Sequence, residues 1–165
     1  MRKIVIAAAL LVTVPALAQP IPTILPNPTN PEAQAPRPAR ARGIPTALAI
    51  EAATISNATC LTNGTKVTTI VVDSEGEPIV VISGDGAAAI TQRIAMGKAI
   101  ISLAVKGPSN GAKADPALGT ARPGGEPLMA GADIVGAIAA SGSPSGAADD
   151  VCVKAAIAKI ADRIK

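Results

Sequence analysis

KVTTIVVDSEGEPIVVIS, residues 66–83, decides the architecture. Its first half, Lys66 to Asp73, is rich in β-branched residues, which suit a pleated surface. Ser74-Glu75-Gly76-Glu77 interrupts the run, and Pro78 to Ser83 resumes it. Two strands joined by so short a turn pair antiparallel, because a parallel return needs a crossover of about a dozen residues. Pro78 opens the second strand, where a missing N–H is tolerated. The hairpin argues for an α/β chain of the α+β kind, an antiparallel sheet covered by helices, and against a wound parallel sheet.

Upstream of the hairpin, Pro45 marks an entry and Thr46 is placed to cap a helix over Ala47 to Thr59. Leu48, Ala52 and Ile55 share one face with Ile50 alongside, and Asn63-Gly64 supplies the stop. Downstream, Gly84-Asp85-Gly86 ends the hairpin. The spacing predicts a helix over Ala87 to Val105 with Ile90, Ile94, Gly97 and Ile101 as its apolar stripe. Gly97 costs that helix about 1 kcal/mol relative to Ala, which is reasonable where another element approaches closely. Residues 106–123 are punctuated by Gly and Pro and form a loop.

GGEPLMAGADIVGAIAASGSPSGAADD, residues 124–150, joins a glycine turn to an apolar run, Ile134 to Ala140, then a Gly/Ser loop and an acidic helix start. Without a Cβ at Gly124, Gly125, Gly142 and Gly146, backbone N–H groups are free to face a ligand. Asp149 and Asp150 suit a helix N-terminus by capping and by dipole. The last helix carries Val153, Ile157, Ile160, Ala161 and Ile164 on one face.

Before the first helix the composition changes twice. Residues 1–18 have the form of a secretory signal: Arg2 and Lys3, an apolar stretch from Ile4 to Val14, then Ala16-Leu17-Ala18. The apolar stretch is too short to span a bilayer, so the mature chain has no membrane span and is expected in a bacterial periplasm or outside the cell. Residues 19–45 hold eight prolines in 27 positions and read as an extended, disordered tether, leaving 46–165 as the folded domain. Of the 15 basic residues, two lie in 1–18 and three in 19–45. Ten therefore remain against eleven acids, a net of −1 for the folded part. A nucleic-acid binder needs a basic face and stacking aromatics. The sequence has no aromatic residue at all, so that class is excluded.

His is absent too. Ser-His-Asp and Cys-His catalysis and any His-bearing metal site go with it. Only Asp, Glu and Lys remain as general bases, and the reading leans away from an enzyme. The core must be Ile, Val, Leu, Ala and Met packed closely. Cys60 ends the first helix and Cys152 opens the last; an even count in an exported chain fits a disulfide. Closing a loop of roughly 90 residues contributes about 4 kcal/mol on the chain-entropy account. A redox-active pair lacks Cys-x-x-Cys spacing, and a thiolate ligand to a metal or haem stays open as an alternative.

From Ala47 to Arg163 the chain resembles the GlcG/HbpS-like haem-binding family, which also includes the C-terminal domain of PduO-type proteins. The likeness rests on VTTIVVDSEGEPIVV (67–81), on GDGA with the helix through Gly97-Lys98-Ala99, on GGEPL (124–128), and on IVGAIAASGSPSGAADDVC (134–152). The resemblance implies a profilin-like single domain, homo-oligomers, and binding of haem or another small anionic ligand. It places Asp85, Gly86, Lys98, Gly124, Gly125, Pro127, Ser141 and Gly142 in or beside the ligand cleft. With no His or Tyr, only Met96, Met129, Lys98 or a cysteine is available to a haem iron. Lys98 or Arg93 would meet the propionates. The plainer readings stand beside these: both methionines as core, Lys98 on a solvated helix face, Asp85 as a turn residue. The alternative function is a structural or partner-binding module that has lost the family's ligand.

Overall fold

In the computed structural model, which describes residues 41–111 and 121–165, two hairpins meet to form one sheet. The first is β1 (Thr68–Asp73) with β2 (Pro78–Ser83); the second is β3 (Gly125–Ala130) with β4 (Asp133–Ser141). The strand order is β2-β1-β4-β3 and every pairing is antiparallel. The hairpin reading of 66–83 holds, and so does the α+β class. Asp73 closes the first turn: its Oδ1 accepts from the amides of Glu75 and Glu77 at 3.1 and 2.9 Å. The expectations for 1–18 and for 19–40 lie outside the described residues, as do positions 112–120 of the long loop.

Three helices cover the sheet. α1 (Thr46–Thr62) and α3 (Gly146–Ile160) lie side by side on one face, and α2 (Ile90–Val105) on the other. The larger core sits under α1 and α3, from Leu48, Ala52, Val71, Ile138, Val153 and Ile160 among others. Cys60 and Cys152 are joined, Cα to Cα 5.4 Å, tying the end of α1 to the first half of α3. The chain just before α1 is packed as well. Ile44 is buried in the larger core, and the Arg42 carbonyl accepts from the Ser74 amide at 2.8 Å. Among the described residues no helix is long and apolar enough to cross a membrane.

Three local expectations differ from the structure. Thr46 is already helical and makes no cap bond; Pro45 occupies the cap position, and the helix runs on to Thr62. α3 is capped by Ser145, whose Oγ accepts from the Ala148 amide; Asp149 lies in the first turn and is buried. α2 begins at Ile90, not Ala87, and its buried positions are Thr91, Ala95, Lys98, Ala99, Ile101 and Ser102. Of the expected stripe only Ile101 is buried, while Ile90 is 45 % exposed. Small residues face the sheet because the helix sits very close to it, on Ala137 and Ala139. At Gly125 a Cβ would stand 2.6 Å from the Lys98 carbonyl oxygen, so β3 and α2 are in near backbone contact there. A stripe of isoleucines would hold the two layers apart.

Candidate functional site

At the C-terminal end of β4 the chain turns through Gly142 into the Gly/Ser loop and on to α3, beside the first turns of α2. Here Lys98 and Asp149 form an enclosed ion pair: Nζ donates to Asp149 Oδ2 at 2.7 Å and to the Ala140 carbonyl at 2.9 Å. Their side chains are 2 % and 3 % exposed. Asp149 Oδ1 accepts from the Ser143 amide at 2.9 Å, so one carboxylate anchors both the lysine and the loop. Both of its oxygens are thereby engaged, and two of the three ammonium donors are spent. The pair takes the place of the solvated lysine face that the sequence left open.

Above this floor lies a polar cleft of about 160 Å³, whose lining includes Thr91, Arg122, Ser141, Gly142 and Gly146. Gly124 packs against the same pair: a Cβ there would meet Lys98 Nζ at 2.9 Å, and its φ of +105° disfavours any other residue. The structure thus gathers Lys98, Gly124, Gly125, Ser141 and Gly142 around one point. Asp85 and Gly86 sit elsewhere. Asp85 lines a separate cavity of about 250 Å³ with Lys66, Leu61 and Ile82, between α1 and β2. Gly86 packs against the Lys66 ammonium, while the Lys66 backbone abuts Gly142 on the other side. Pro127 and Met129 lie further along β3, and Met129 is 39 % exposed.

A second opening flanks α2 on its opposite side. α2 crosses β1, β4 and β3 but leaves β2 uncovered. The uncovered strip is a groove of about 340 Å³ lined by Ile70, Pro78, Val81, Ala89, Gln92, Arg93 and Met96. Its floor is apolar, and Val81 is 37 % exposed. Met96 packs against the smaller core beneath α2. Positions 89, 92, 93 and 96 share one flank of the helix, and 91, 94 and 98 share the opposite one. The groove and the polar cleft are therefore distinct. Of the three kinds of iron ligand the sequence allowed, Cys60 and Cys152 are oxidised to a disulfide and Lys98 is enclosed in its ion pair. Met96 is the thioether that lines a cavity of adequate size for a cofactor.

Sequence reasoning passed over Thr91, Arg122, Ser143 and the pairing role of Asp149. For Asp149 a signal existed: it stands three residues before Cys152, and the disulfide holds that turn of α3 in place. For Val81, read only as a strand residue, there was none.

Comparison with known proteins follows the same outline. A family model described as haem degrading protein HbpS-like matches residues 44–158. Comparison with curated proteins gives no match. Among solved structures, a doubly substituted form of HbpS from Streptomyces reticuli is similar at 26 % identity and a TM-score of 0.67, over 76 % of this chain and 97 % of that one. The Klebsiella pneumoniae protein ORFY is similar at 18 % identity and a TM-score of 0.64, over 74 % and 94 %. The PduOC haem complex is similar at 18 % identity and a TM-score of 0.63, over 70 % and 94 %. The last two likenesses, at that identity, concern the fold.

Proposed function

Because the chain belongs to the family of HbpS-like haem degrading proteins, we propose that it binds haem, and that the open groove between β2 and α2 receives it. The observation that carries this is the meeting, in one apolar groove, of a thioether and a guanidinium. Haem is an apolar disc with a Lewis-acidic centre and two carboxylates at one edge. Ile70, Pro78, Val81 and Ala89 offer an apolar floor, Met96 a sulfur for the iron, and Arg93 a charged partner for a propionate. That donor set fits a haem held from one side. The lining has one cation and no carboxylate, so it supports binding and orientation, not proton transfer.

Titrating the purified mature protein with haemin tests this. A saturable Soret shift is expected. Met96→Ala should alter the band position, and Arg93→Glu should weaken binding about tenfold or more, as loss of a charge-assisted bond implies. No saturable shift, or one that both substitutions leave untouched, would refute the proposal and favour a partner-binding module without ligand.

Export and self-association accompany the proposal. The Cys60–Cys152 bridge suits an oxidising compartment, as does the signal-like segment 1–18. The free backbone edge of β2, an outermost strand of the sheet, suits a homo-oligomer. A light-scattering mass equal to one chain would reject the latter.

A further inference from the structure

Glu126 carries a charge that neither the groove nor the cleft uses. Along β3, Gly125 packs on Lys98 of α2, so the next side chain points to the opposite face, under α3. There Glu126 is 8 % exposed, and Ile138 of β4 stands opposite it in the strand pair. Its Oε1 is shut off from solvent and makes no hydrogen bond among the described residues. Native folds leave few buried polar atoms in that state, and each one calls for a cause. The cation that reaches it, Lys154 Nζ, stands 3.5 Å away, but only 2.7 Å from Asp150 Oδ2 one turn earlier on α3. The ammonium thus belongs to Asp150 first, and the lysine side chain is 60 % exposed.

Held on the same ammonium, the Asp150 carboxyl is close enough to Glu126 to hydrogen-bond it. Two carboxylates cannot make that bond, since each only accepts; a carboxylic acid beside a carboxylate can. No other charge corrects the balance. Lys98 of α2 is committed to Asp149, β4 brings only Ile138 opposite Glu126, and Arg122 lines the polar cleft. Two carboxyls and one mostly solvated ammonium therefore share a desolvated spot with a negative charge in excess, where the second ionisation is opposed by the first. We propose that Glu126 and Asp150 share one proton, and that the pair is a pH-sensitive latch between β3 and the first turn of α3. The proton sits on Glu126 and is donated to Asp150; its loss to solvent leaves two facing carboxylates that push apart. Asp149, the adjacent residue, holds both Lys98 and the Ser143 amide, so displacing that turn loosens the Gly/Ser loop and widens the polar cleft. Burial, and then Asp150, keep the Glu126 carboxyl above 4.5 with Lys154 opposing, which sets the latch closed in acid and open above the raised value. It lies on the α3 side of the sheet and the haem groove on the α2 side, so neither proposal rests on the other.

Side-chain carboxyl and backbone amide resonances of the full mature protein, followed from acid to mildly alkaline pH, test the latch. Glu126 titrates in a step above 4.5, and the Ser143 amide shifts with the same midpoint. Glu126→Gln keeps a donor toward Asp150 and cannot ionise, so it abolishes that step at Ser143 and holds the amide at its acid-limit position. Asp150→Asn removes the neighbouring charge and brings the Glu126 midpoint down. A Glu126 carboxyl that titrates at or below 4.5 overturns the proposal. So does a Ser143 amide that ignores the Glu126 step, or one that keeps the step in Glu126→Gln. The first two of these readings come from the unsubstituted protein, so they decide the matter even where a variant fails to fold.

Discussion

Replacing Lys98 by Met, Asp149 by Asn, and then both, tests how the two halves of the chain are held together. Each single substitution strands a charge that is 97–98 % enclosed. In Lys98→Met the carboxylate keeps only the Ser143 amide, and in Asp149→Asn the ammonium loses its anion and keeps the Ala140 carbonyl. Removing one member of a buried pair costs about 3–5 kcal/mol, against a total stability of about 5–15 kcal/mol for a domain. The double variant buries no charge. Its expected penalty is one unpaired carbonyl at Ala140, about 1–3 kcal/mol, well short of the sum of the singles. Equilibrium urea unfolding with the disulfide intact would measure all three, and the cycle should return a coupling of about 3 kcal/mol or more. Singles that each cost under about 1 kcal/mol, below the range for a desolvated pair, or a double equal to their sum, would refute the enclosure argument.

Two further outcomes follow from the fold. Replacing both Cys60 and Cys152 by Ser frees a loop spanning 92 positions, which on the chain-entropy account lowers stability by about 4–5 kcal/mol; calorimetric unfolding checks this, and an unchanged midpoint would contradict it. Glu126 is a pH-sensitive point: burial, and then the neighbouring Asp150, raise its carboxyl pKa above 4.5, with Lys154 opposing. The folded state thus keeps a proton that the unfolded chain has released, so stability falls as pH rises from 4.5 through the raised value. Glu126→Gln should flatten that part of the stability curve, and an identical slope in the variant would exclude Glu126 as its source.

How far the site was legible depends on the distance over which each signal acts. Gly124, Gly125 and Gly142 were visible because glycines flanking an apolar strand have few other uses, Ser141 came only with the family resemblance, and the four do converge. Lys98 was visible as a position but ambiguous in role, since its partner stands 51 residues away and a helical lysine resembles every surface lysine. Periodicity misassigned the buried stripe of α2, because Ile90, Ile94 and Ile101 are the more apolar residues while Ala95, Ala99 and Ser102 are the smaller ones. Close approach to Gly125 and Ala137 selects for size over hydropathy. Asp149 was read as a cap because Asp near a helix start usually is one; Ser145, four residues earlier, already held that place.

By itself the sequence determined the hairpin, the antiparallel class, the three helices and the absence of aromatic and imidazole chemistry, and it favoured a bridge between the two cysteines that the structure then shows. All of these depend on spacing within one element, on turn residues, or on composition. Only the tertiary structure decided which flank of α2 meets which strand. Because α2 lies over β1, β4 and β3 and leaves its side of β2 open, Met96 and Arg93 share a groove with Val81. Because the start of α3 is drawn onto the end of β4, Lys98 is closed off and Ser141 is left facing a cleft. Those are consequences of how layers stack, and no local pattern encodes them.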